Sequence, residues 1–359
     1  MTTSQLIILA GNGNYVALGD EYYIVDASAG TGNNIIAGDG DDTVLAGTGT
    51  CCVELGNGND SVTAGGNGNY IRLGNGNDFV DASAGTGNDI IAGDGDDTVL
   101  AGTGTCCVEL GNGNDSVTAG GNGNYIKLGN GNDFVDASAG TGNDIIAGDG
   151  DDTVLAGTGT CCVELGNGND SVTAGGNGNY IRLGNGHDFV DASAGTGNDI
   201  TAGDGNNTIL GGKGFSNVTL GNGDNCVRLD GLSNFVTCGS GTNMVFAGSG
   251  NDVVRVAGAF AVGFSGTGNS LVLGSDAIAG SSITGLAPGD FITFEGFGLA
   301  GPAGTLVAAT TRVDGPSTTL SVVLNTSSGA FQRDIGLAGF TGHSLSLSQH
   351  GNDATISVH

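Results

Sequence analysis

The sequence predicts an all-β protein: a parallel β-solenoid, or β-roll, with two short strands in each coil of about 18 residues, followed by a small C-terminal β domain. Three observations predict it. Glycine supplies 74 of the 359 residues, a density that disfavours helix. A block of 55 residues recurs almost unchanged. Each Gly-rich turn leads into a β-branched residue, as in "GNGNDSV" at 56–62.

The repeat divides the chain into three predicted segments. Residues 1–9 form an N-terminal strand, 10–275 the solenoid and 276–359 the C-terminal β domain. Within the solenoid, the near-identical copies are 51–105, 106–160 and 161–210, the partial copy is 10–50, and the degenerate copies are 211–275. Short strands of this kind bury an apolar face only by stacking on the next coil.

Each unit of the repeat contributes two apolar positions that point to the same side of a short strand. One is the β-branched residue six places after the first glycine of the turn, and the other precedes that glycine. The predicted inward residues of one copy are Val62, Ile71, Val80, Ile91 and Val99, with Ala64, Leu73, Ala84, Ala92 and Ala101. Their neighbours Tyr70, Phe79, Ile90 and Cys107 are predicted to point outward.

The residues that close the turns separate into two sets, which predicts two strands per coil. Every second turn closes on aspartate, in steps of 18 or 19 residues: Asp42, Asp60, Asp78, Asp97, Asp115, Asp133, Asp152, Asp170 and Asp188. The alternate turns are predicted to close on Asn69, Asp89, Cys106, Asn124, Asp144 and Cys161. A coil of three strands would mix the two sets. We call the first set the aspartate edge and the second the mixed edge.

A column of aspartates suggests a cation site. Carboxylates stacked about 4.8 Å apart repel one another, and calcium takes six to eight oxygens from carboxylates and backbone carbonyls. Glycine allows a turn to curl its carbonyls inward. The predicted ligands are the nine aspartates of the aspartate edge with carbonyls of turns such as Gly56, Gly58, Gly74, Gly76, Gly93 and Gly95. The alternative, aspartate as a local backbone cap, explains single turns but not nine in register.

The phrases GNGND, GTGND and GDGDD, each followed by one residue and then Val or Ile, resemble the nonapeptide of repeats-in-toxin proteins over roughly residues 10–274. The resemblance implies a calcium-loaded parallel β-roll that is exported by type I secretion. Two features depart from the family pattern: Leu or Ala replaces its first glycine, and the mixed edge lacks a uniform ligand. Asp89, Asp144, Asp199 and Asp252 are therefore expected to bind calcium more weakly.

Charge and targeting patterns bear on partners and location. With 8 basic and 37 acidic residues, the net charge is -29, which disfavours nucleic acid and favours a divalent cation. No signal peptide or membrane-length run is seen, which alone would predict cytoplasm. The C-terminal strands, ending in "HGNDATISVH", resemble the uncleaved export signal of type I substrates, which instead implies an extracellular or cell-surface protein.

No catalytic constellation is found: there is no Ser-His-Asp spacing, HExxH motif or paired catalytic glutamate, so no enzyme activity is predicted. The predicted function is a secreted structural protein of a filament, matrix or surface layer. One alternative is an ice- or surface-binding module, with Thr86 and Asn88 of "GTGND" facing outward, although no uniform threonine row forms. Another is a secretion-and-folding domain of a toxin or enzyme.

Head-to-tail assembly is predicted from the N-terminal strand, which has no coil before it to cover it. The predicted assembly residues are Leu6, Ile7, Ile8 and Leu9 with the outward Tyr70, Phe79, Ile90 and Cys107. In each Cys-Cys pair, Cys106 and its equivalents are predicted to pack inward and Cys107 and its equivalents to face outward. The outward thiols are either inert or available for cross-links between molecules.

Overall fold

A computed structural model describes residues 4–274, 281–295, 306–314, 317–326, 329–338, 344–350 and 353–359. It divides into two compact units, Met1–Leu183 and Gly184–His359. Strands and turns are the only regular elements in the described ranges, and none of these residues forms a helix that could span a membrane.

The described part of the first unit consists of twenty short strands. They are β1 (Gln5–Ile8), β2 (Tyr15–Ala17), β3 (Tyr23–Asp26), β4 (Asn34–Ile36), β5 (Thr43–Gly47), β6 (Cys52–Glu54), β7 (Ser61–Ala64), β8 (Tyr70–Arg72), β9 (Phe79–Asp81), β10 (Asp89–Ile91), β11 (Thr98–Gly102), β12 (Cys107–Glu109), β13 (Ser116–Ala119), β14 (Tyr125–Lys127), β15 (Phe134–Asp136), β16 (Asp144–Ile146), β17 (Thr153–Gly157), β18 (Cys162–Glu164), β19 (Ser171–Ala174) and β20 (Tyr180–Arg182).

Strands of the first unit pair in parallel with the next strand but one, which makes two sheets. β7 pairs with β9 so that Val62 lies beside Val80, and β9 pairs with β11 so that Val80 lies beside Val99. The even-numbered strands pair in the same way, for example β10 with β12. Because consecutive strands fall in alternate sheets, each coil holds two strands, which confirms the predicted two-strand coil.

One column of β-branched side chains from each sheet fills the narrow space between the sheets. The column of the odd-numbered strands includes Val62, Val80, Val99 and Val117, and that of the even-numbered strands includes Ile71, Ile90, Val108 and Ile126; each has at most 1 % of its surface exposed. Burying a side chain of this size contributes about 1.5–3 kcal/mol, so these columns are the main apolar stabilisation of the coils.

The prediction for Ile90 and Ile91 is wrong by one residue. Ile90 is fully buried, in register with Ile71, and Ile91 is half-buried on the outer face. The inward alanine of this unit is likewise Ala82 and not Ala84, which is exposed. Ile90 is therefore a core residue and is removed from the predicted assembly surface.

The predicted outward positions of Tyr70, Phe79 and Cys107 are confirmed. Tyr70 is 36 % exposed and Phe79 39 % exposed, and Cys107 is half-buried. On the sheet of the even-numbered strands, Asp89, Cys107 and Tyr125 are direct neighbours in one outer column. These residues recur every three coils, because one copy of the repeat contains three coils.

The second unit begins with the same arrangement and ends differently. Its described strands are β21 (Phe189–Asp191), β22 (Asn198–Ala202), β23 (Thr208–Leu210), β24 (Ser216–Leu220), β25 (Cys226–Arg228), β26 (Phe235–Cys238), β27 (Thr242–Phe246), β28 (Val253–Val256), β29 (Ala259–Gly263), β30 (Ser270–Leu273), β31 (Ser282–Thr284), β32 (Phe291–Phe294), β33 (Leu306–Asp314), β34 (Ser317–Thr326), β35 (Gly329–Ala338), β36 (Leu345–His350) and β37 (Asp353–Val358). Parallel pairing extends to β31 and β32.

The longer C-terminal strands of the second unit close its two sheets. β33, β34 and β35 form antiparallel pairs, and β35 lies parallel to β31. β37 pairs antiparallel with both β32 and β36. The last coil strand of each sheet is thus covered, as expected for a C-terminal cap. The boundary proposed at residue 275 stays a prediction.

Candidate metal-binding edge

The aspartates of the aspartate edge lie buried at the start of the odd-numbered strands. The carboxylate of each accepts a hydrogen bond from a backbone N–H of the preceding coil. The backbone N–H of Asp60 donates to Oδ1 of Asp78 at 2.8 Å, and that of Asp78 donates to Oδ1 of Asp97 at 2.8 Å. The same bond joins Tyr23 to Asp42, Asp42 to Asp60, Asp97 to Asp115, Asp115 to Asp133, Asp133 to Asp152 and Asp152 to Asp170. One carboxylate oxygen per coil is therefore used to hold the stack together.

Glycine is required in these turns because successive turns stack in close contact. A Cβ on Gly76 would lie 1.7 Å from the carbonyl oxygen of Gly58, and a Cβ on Gly58 would lie 2.1 Å from that of Gly40. Gly76 also has a φ of 142°, which side chains rarely adopt. The Gly-x-Gly phrase therefore brings backbone carbonyls close together along the edge, two and four residues before each aspartate.

The second carboxylate oxygen of these aspartates is buried without a hydrogen-bond partner. This is the case for Oδ2 of Asp42, Asp60, Asp78, Asp97, Asp115, Asp133 and Asp152. A buried acceptor without a partner costs about 1–3 kcal/mol, and more when it is charged. Seven such atoms in one column require a positively charged or hydrogen-bonding group beside them.

Two asparagines that close equivalent turns in the second unit show which atoms lie next to the Oδ2 of a turn-closing aspartate. Asn207 and Asn225 follow the same Gly-x-Gly phrase, and Oδ1 of Asn225 accepts the N–H of Asn207 as the aspartates do. The Nδ2 group of Asn207 donates to the carbonyls of Gly203 at 3.1 Å and Gly205 at 3.3 Å. Aspartate has the same shape as asparagine, so its Oδ2 is directed at the equivalent glycine carbonyls, acceptor against acceptor.

This arrangement fits a calcium ion. Oxygen atoms of one carboxylate and of glycine carbonyls converge at each turn of the aspartate edge, and oxygens of both kinds are the ligands that calcium takes. No three acidic, histidine or cysteine side chains among the described residues cluster closely enough to hold a metal by themselves. A cation here would therefore depend on the carbonyls of the Gly-x-Gly turns as much as on the aspartates.

Burial makes these carboxylates poor anions in the absence of a cation. It raises the pKa of Asp60, Asp97 and Asp115 to about 7 and that of Asp78 to about 8, against an ordinary value of 3.8. The pKa values of Asp42 and Asp133 rise to about 6, and that of Asp152 to about 7. Neighbouring aspartates raise most of these values further, whereas the N–H bond to Oδ1 lowers them. Near neutral pH, the aspartate edge thus needs protons or a cation.

On the mixed edge of the near-identical copies, the buried turn-closing side chains find partners within the protein. Asn69 donates from Nδ2 to the Gly66 carbonyl at 2.6 Å and to Oδ1 of Asn88 at 3.0 Å. Asn88 donates to the carbonyls of Ala82 and Ala101 at 3.2 and 2.8 Å. The thiol of Cys106 donates to the Ala101 carbonyl at 3.2 Å. The hydrogen bonds of these three side chains are therefore complete without a cation.

The prediction that Asp89, Asp144 and Asp199 close turns of the mixed edge is wrong by one residue. The buried turn-closing residues are Asn88, Asn143 and Asn198. The following aspartates lie on the outer face, where Asp89 and Asp144 are half-buried and Asp199 is exposed. The reason is that Gly85 stacks on Gly66, since a Cβ on Gly85 would lie 1.8 Å from the Gly66 oxygen, and not on Gly65.

Asp252 does lie in the turn-closing column of its edge, fully buried, but its oxygens have partners. Oδ1 accepts the backbone N–H and the Nδ2 group of Asn234 at 2.8 and 2.9 Å. Oδ2 accepts the N–H of Gly250 at 3.2 Å. Its surroundings therefore differ from those of the aspartate edge. Asp188, the last aspartate predicted for that edge, belongs to the second unit, where it is buried and donates its N–H to Asn207.

The cysteines take the predicted inward and outward positions, and all eight are free thiols. Cys106 is buried at a turn, whereas Cys107 lies on the outer face beside Asp89. Burial first, and then the charges of Asp89 and Glu109, raise the pKa of the Cys107 thiol. A raised pKa lowers the thiolate fraction and with it the rate of disulfide exchange, which favours the interpretation of these residues as inert.

Comparison with known protein families identifies the repeat. A family model of the RTX calcium-binding nonapeptide repeat matches residues 27–50, 55–91, 81–105, 109–146, 136–160, 201–236 and 237–255, which together are about half of the chain. The matched segments cover most of the aspartate edge. A search of curated proteins finds no significant match.

Proposed function

Since the chain belongs to the family of RTX calcium-binding nonapeptide repeat proteins, we propose that it is a structural β-roll whose first unit folds on binding calcium along the aspartate edge. The observation that carries the proposal is the column of buried Oδ2 atoms without hydrogen-bond partners. Calcium supplies the positive charge that these oxygens and the glycine carbonyls lack. The proposed ligands are the predicted aspartates Asp42 to Asp170 with the carbonyls of the preceding Gly-x-Gly turns.

The protein's own residues determine how folding depends on calcium. The N–H bonds to Oδ1 set the register of the coils, and the stacked glycines bring the carbonyls close to each carboxylate. With a net charge of -29, the unfolded chain repels itself. A ligand that binds only the folded roll stabilises it by mass action. The proposed location is therefore outside the cell, where calcium is abundant, after export of the type I kind.

The test is the calcium dependence of the fold at pH 7.5. In chelator we expect the circular dichroism spectrum of the full chain to lose most of its β signal, and millimolar calcium to restore it. Magnesium is the control, because its preference for an octahedral shell that retains water suits this edge poorly. A β spectrum that is the same in chelator and in calcium would contradict the proposal.

We further propose that the roll assembles head to tail. The first strand, β1, exposes Leu6 and Ile8, which are 62 % and 69 % exposed, and leaves Ile7 and Leu9 half-buried. Among the described residues, β1 pairs with β3 on one side only. Such an edge can accept another strand, and a contact of this kind that does not close on itself extends into a filament.

Deletion of residues 1–9 tests the assembly. We expect the truncated chain to fold in calcium as the full chain does and to form no long assemblies in electron micrographs. Tyr70→Ser is the matched control, because it removes an exposed aromatic group from a side of the roll and not from its end. Equal assembly of the truncated and full chains would show that the N-terminal strand is not the contact.

Binding to ice or another crystalline surface remains the alternative function. A regular row would require the same outward residue in each coil. On the mixed edge, Thr86 donates its N–H to Oδ1 of Asn67, and Gly104 stacks on Thr86 in the following coil. Asn88, which was expected to face outward, is buried. Threonine thus occupies this column in only one coil of every three, and we favour the structural role.

A further inference from the structure

The outer face of the second unit carries a groove whose lining residues do not recur in the regular repeats. Its volume is about 440 Å³, and its lining includes Arg228, Asp230, Phe246, Gly263 and Thr284. We call this the outer groove. A volume of this size lies within the range of small-molecule sites.

Four outward positions on neighbouring strands form the floor of the outer groove. Arg228 on β25 lies beside Phe246 on β27, Phe246 beside Gly263 on β29, and Gly263 beside Thr284 on β31. A Cβ on Gly263 would lie 2.9 Å from Cδ1 of Phe246 and 3.1 Å from Oγ1 of Thr284. The absence of a side chain at Gly263 therefore leaves room for the Phe246 ring, which is 48 % exposed to solvent.

The two charged side chains of the groove, one cationic and one anionic, carry no net charge together. Nε of Arg228 lies 3.7 Å from Oδ1 of Asp230, and both side chains are more than half exposed. Ser249, Ser265 and Thr284 also line the groove, and the hydroxyls of Ser249 and Ser265 donate to the carbonyls of Gly231 and Gly248. An anionic ligand would be repelled by the net charge of -29. A cationic ligand would have to compete with Arg228 for the carboxylate of Asp230. The groove thus suits a neutral ligand with many hydroxyl groups.

A second hollow extends the outer groove along the same face. It has a volume of about 240 Å³ and shares Arg228 and Asp230 with the first. Leu210, the neighbour of Arg228 on β23, lies in its wall. Residues that line the two hollows lie on five successive strands of one sheet, β23, β25, β27, β29 and β31, which offers room for a ligand built of more than one ring.

The regular copies lack this chemistry at the equivalent positions. In the first unit, the corresponding outer column repeats Asp81, Leu100 and Thr118, without an aromatic residue beside a glycine. The groove is therefore a specific feature of the degenerate copies and not a property of the β-roll.

We propose that the outer groove binds a neutral oligosaccharide. One sugar ring lies with its C–H face on Phe246, and its hydroxyl groups bond to Arg228, Asp230 and Thr284. The next ring extends into the hollow beside Leu210. An aromatic face for the C–H groups and a few fixed donors and acceptors for the hydroxyls are the two contacts that a sugar ring needs.

The test is isothermal titration calorimetry of the full chain in calcium. The neutral probes are maltotetraose, cellotetraose, mannotetraose and tetra-N-acetylchitotetraose, and the acidic probe is tetragalacturonate. We expect at least one neutral probe to bind at concentrations below about 10 mM and more tightly than the acidic one. Phe246→Ala should weaken that binding about tenfold, and Asp230→Ala should weaken it as well.

Phe79→Ala is the matched control, since Phe79 is an exposed phenylalanine of the regular face; it should leave binding unchanged. Circular dichroism in calcium establishes that each variant is folded. The proposal is overturned if no neutral probe binds, if the acidic probe binds best, or if Phe246→Ala and Phe79→Ala have the same effect.

Discussion

The two edges of the first unit share one hydrogen-bond arrangement between coils, but they differ in whether their buried side chains are left without partners. On both edges a buried side-chain oxygen accepts an N–H from the coil before, as Asp97 does on one and Asn88 on the other. On the mixed edge, Nδ2 of Asn88 completes its bonds with two carbonyls. On the aspartate edge, Oδ2 of Asp97 has no partner. Where the mixed edge closes on asparagine, the two edges thus differ at one atom, nitrogen on the mixed edge and oxygen on the aspartate edge.

The second unit supports this conclusion within a single edge type. After Asp188, the turn-closing residues are Asn207, Asn225 and Asn243, and each donates Nδ2 to the carbonyl of the glycine four residues before it. The same turn therefore exists in a form that is complete without a cation. We therefore expect calcium dependence to follow from the residue at this position and not from the Gly-x-Gly turn itself.

The largest expected effect that tests this comparison of the two edges is the effect of pH on folding of the calcium-free chain. The folded aspartates have pKa values of about 6 to 8, against 3.8 ordinarily, so the folded state holds protons that the unfolded state has lost. The stabilisation is full below about pH 4 and is lost as the pH rises through 6 to 8. We expect chelator-treated protein to show strong β signal at pH 5 and little at pH 7.5.

Saturating calcium serves as the control for that experiment, because bound calcium replaces the protons and should flatten the pH dependence. A calcium-free chain that is equally unfolded at pH 5 and pH 7.5 would mean that the buried carboxylates do not limit folding.

Next in size is the effect of removing carboxylates from one edge. In the triple variant Asp97→Asn, Asp115→Asn and Asp133→Asn, each new Nδ2 can donate to glycine carbonyls as in Asn207. We expect about three fewer calcium ions per chain, one per replaced turn, and more β signal in chelator than the wild type shows. Equilibrium dialysis with metal analysis gives the count.

The matched control replaces Asp89, Asp144 and Asp199 with asparagine. These changes remove the same charge from the outer face, so we expect the calcium count to stay at the wild-type value. If both triple variants lose calcium equally, net charge and not the position of the carboxylates governs binding.

The smallest effect concerns the register of the mixed edge. Ile90→Ala removes a fully buried side chain and should lower the free energy of unfolding by about 2–5 kcal/mol. Ile91→Ala alters a half-buried outer position and should change it by about 0.5 kcal/mol. Thermal unfolding in calcium measures both. The opposite ranking would place Asp89, and not Asn88, in the turn.

The aspartate edge could be predicted from the sequence because its turns have one length. In every copy, aspartate follows the first glycine of Gly-x-Gly by four residues, so any alignment of the glycines also aligns the aspartates. Turns of the mixed edge differ in length, and a pair such as Gly65 and Gly66 does not reveal which glycine stacks on the next coil. Because of that ambiguity, the predicted orientations of Ile90 and Asp89 are wrong by one residue.

Other features depend on contacts that no periodicity records. The unpartnered Oδ2 atoms follow from the direction of each carboxylate. The completed bonds of Asn69 and Cys106 follow from the way each turn directs the carbonyls of Gly66 and Ala101 at these side chains. The outer groove lies where the repeat has decayed, and therefore no pattern marks Phe246 and Gly263 as neighbours. In such regions only the pairing of strands brings the residues together.

The three-coil copy has a consequence for how such a chain can change its length. Joining Thr105 directly to Cys161 would remove one whole copy and leave every remaining strand facing a neighbour of the same kind, because the sequences that follow Cys106 and Cys161 are nearly the same. Loss or gain of a single coil would keep the valines aligned but would set Phe79 and its equivalents out of phase. Recombination between copies can thus lengthen or shorten the molecule in increments of about 14 Å without disturbing its surface pattern.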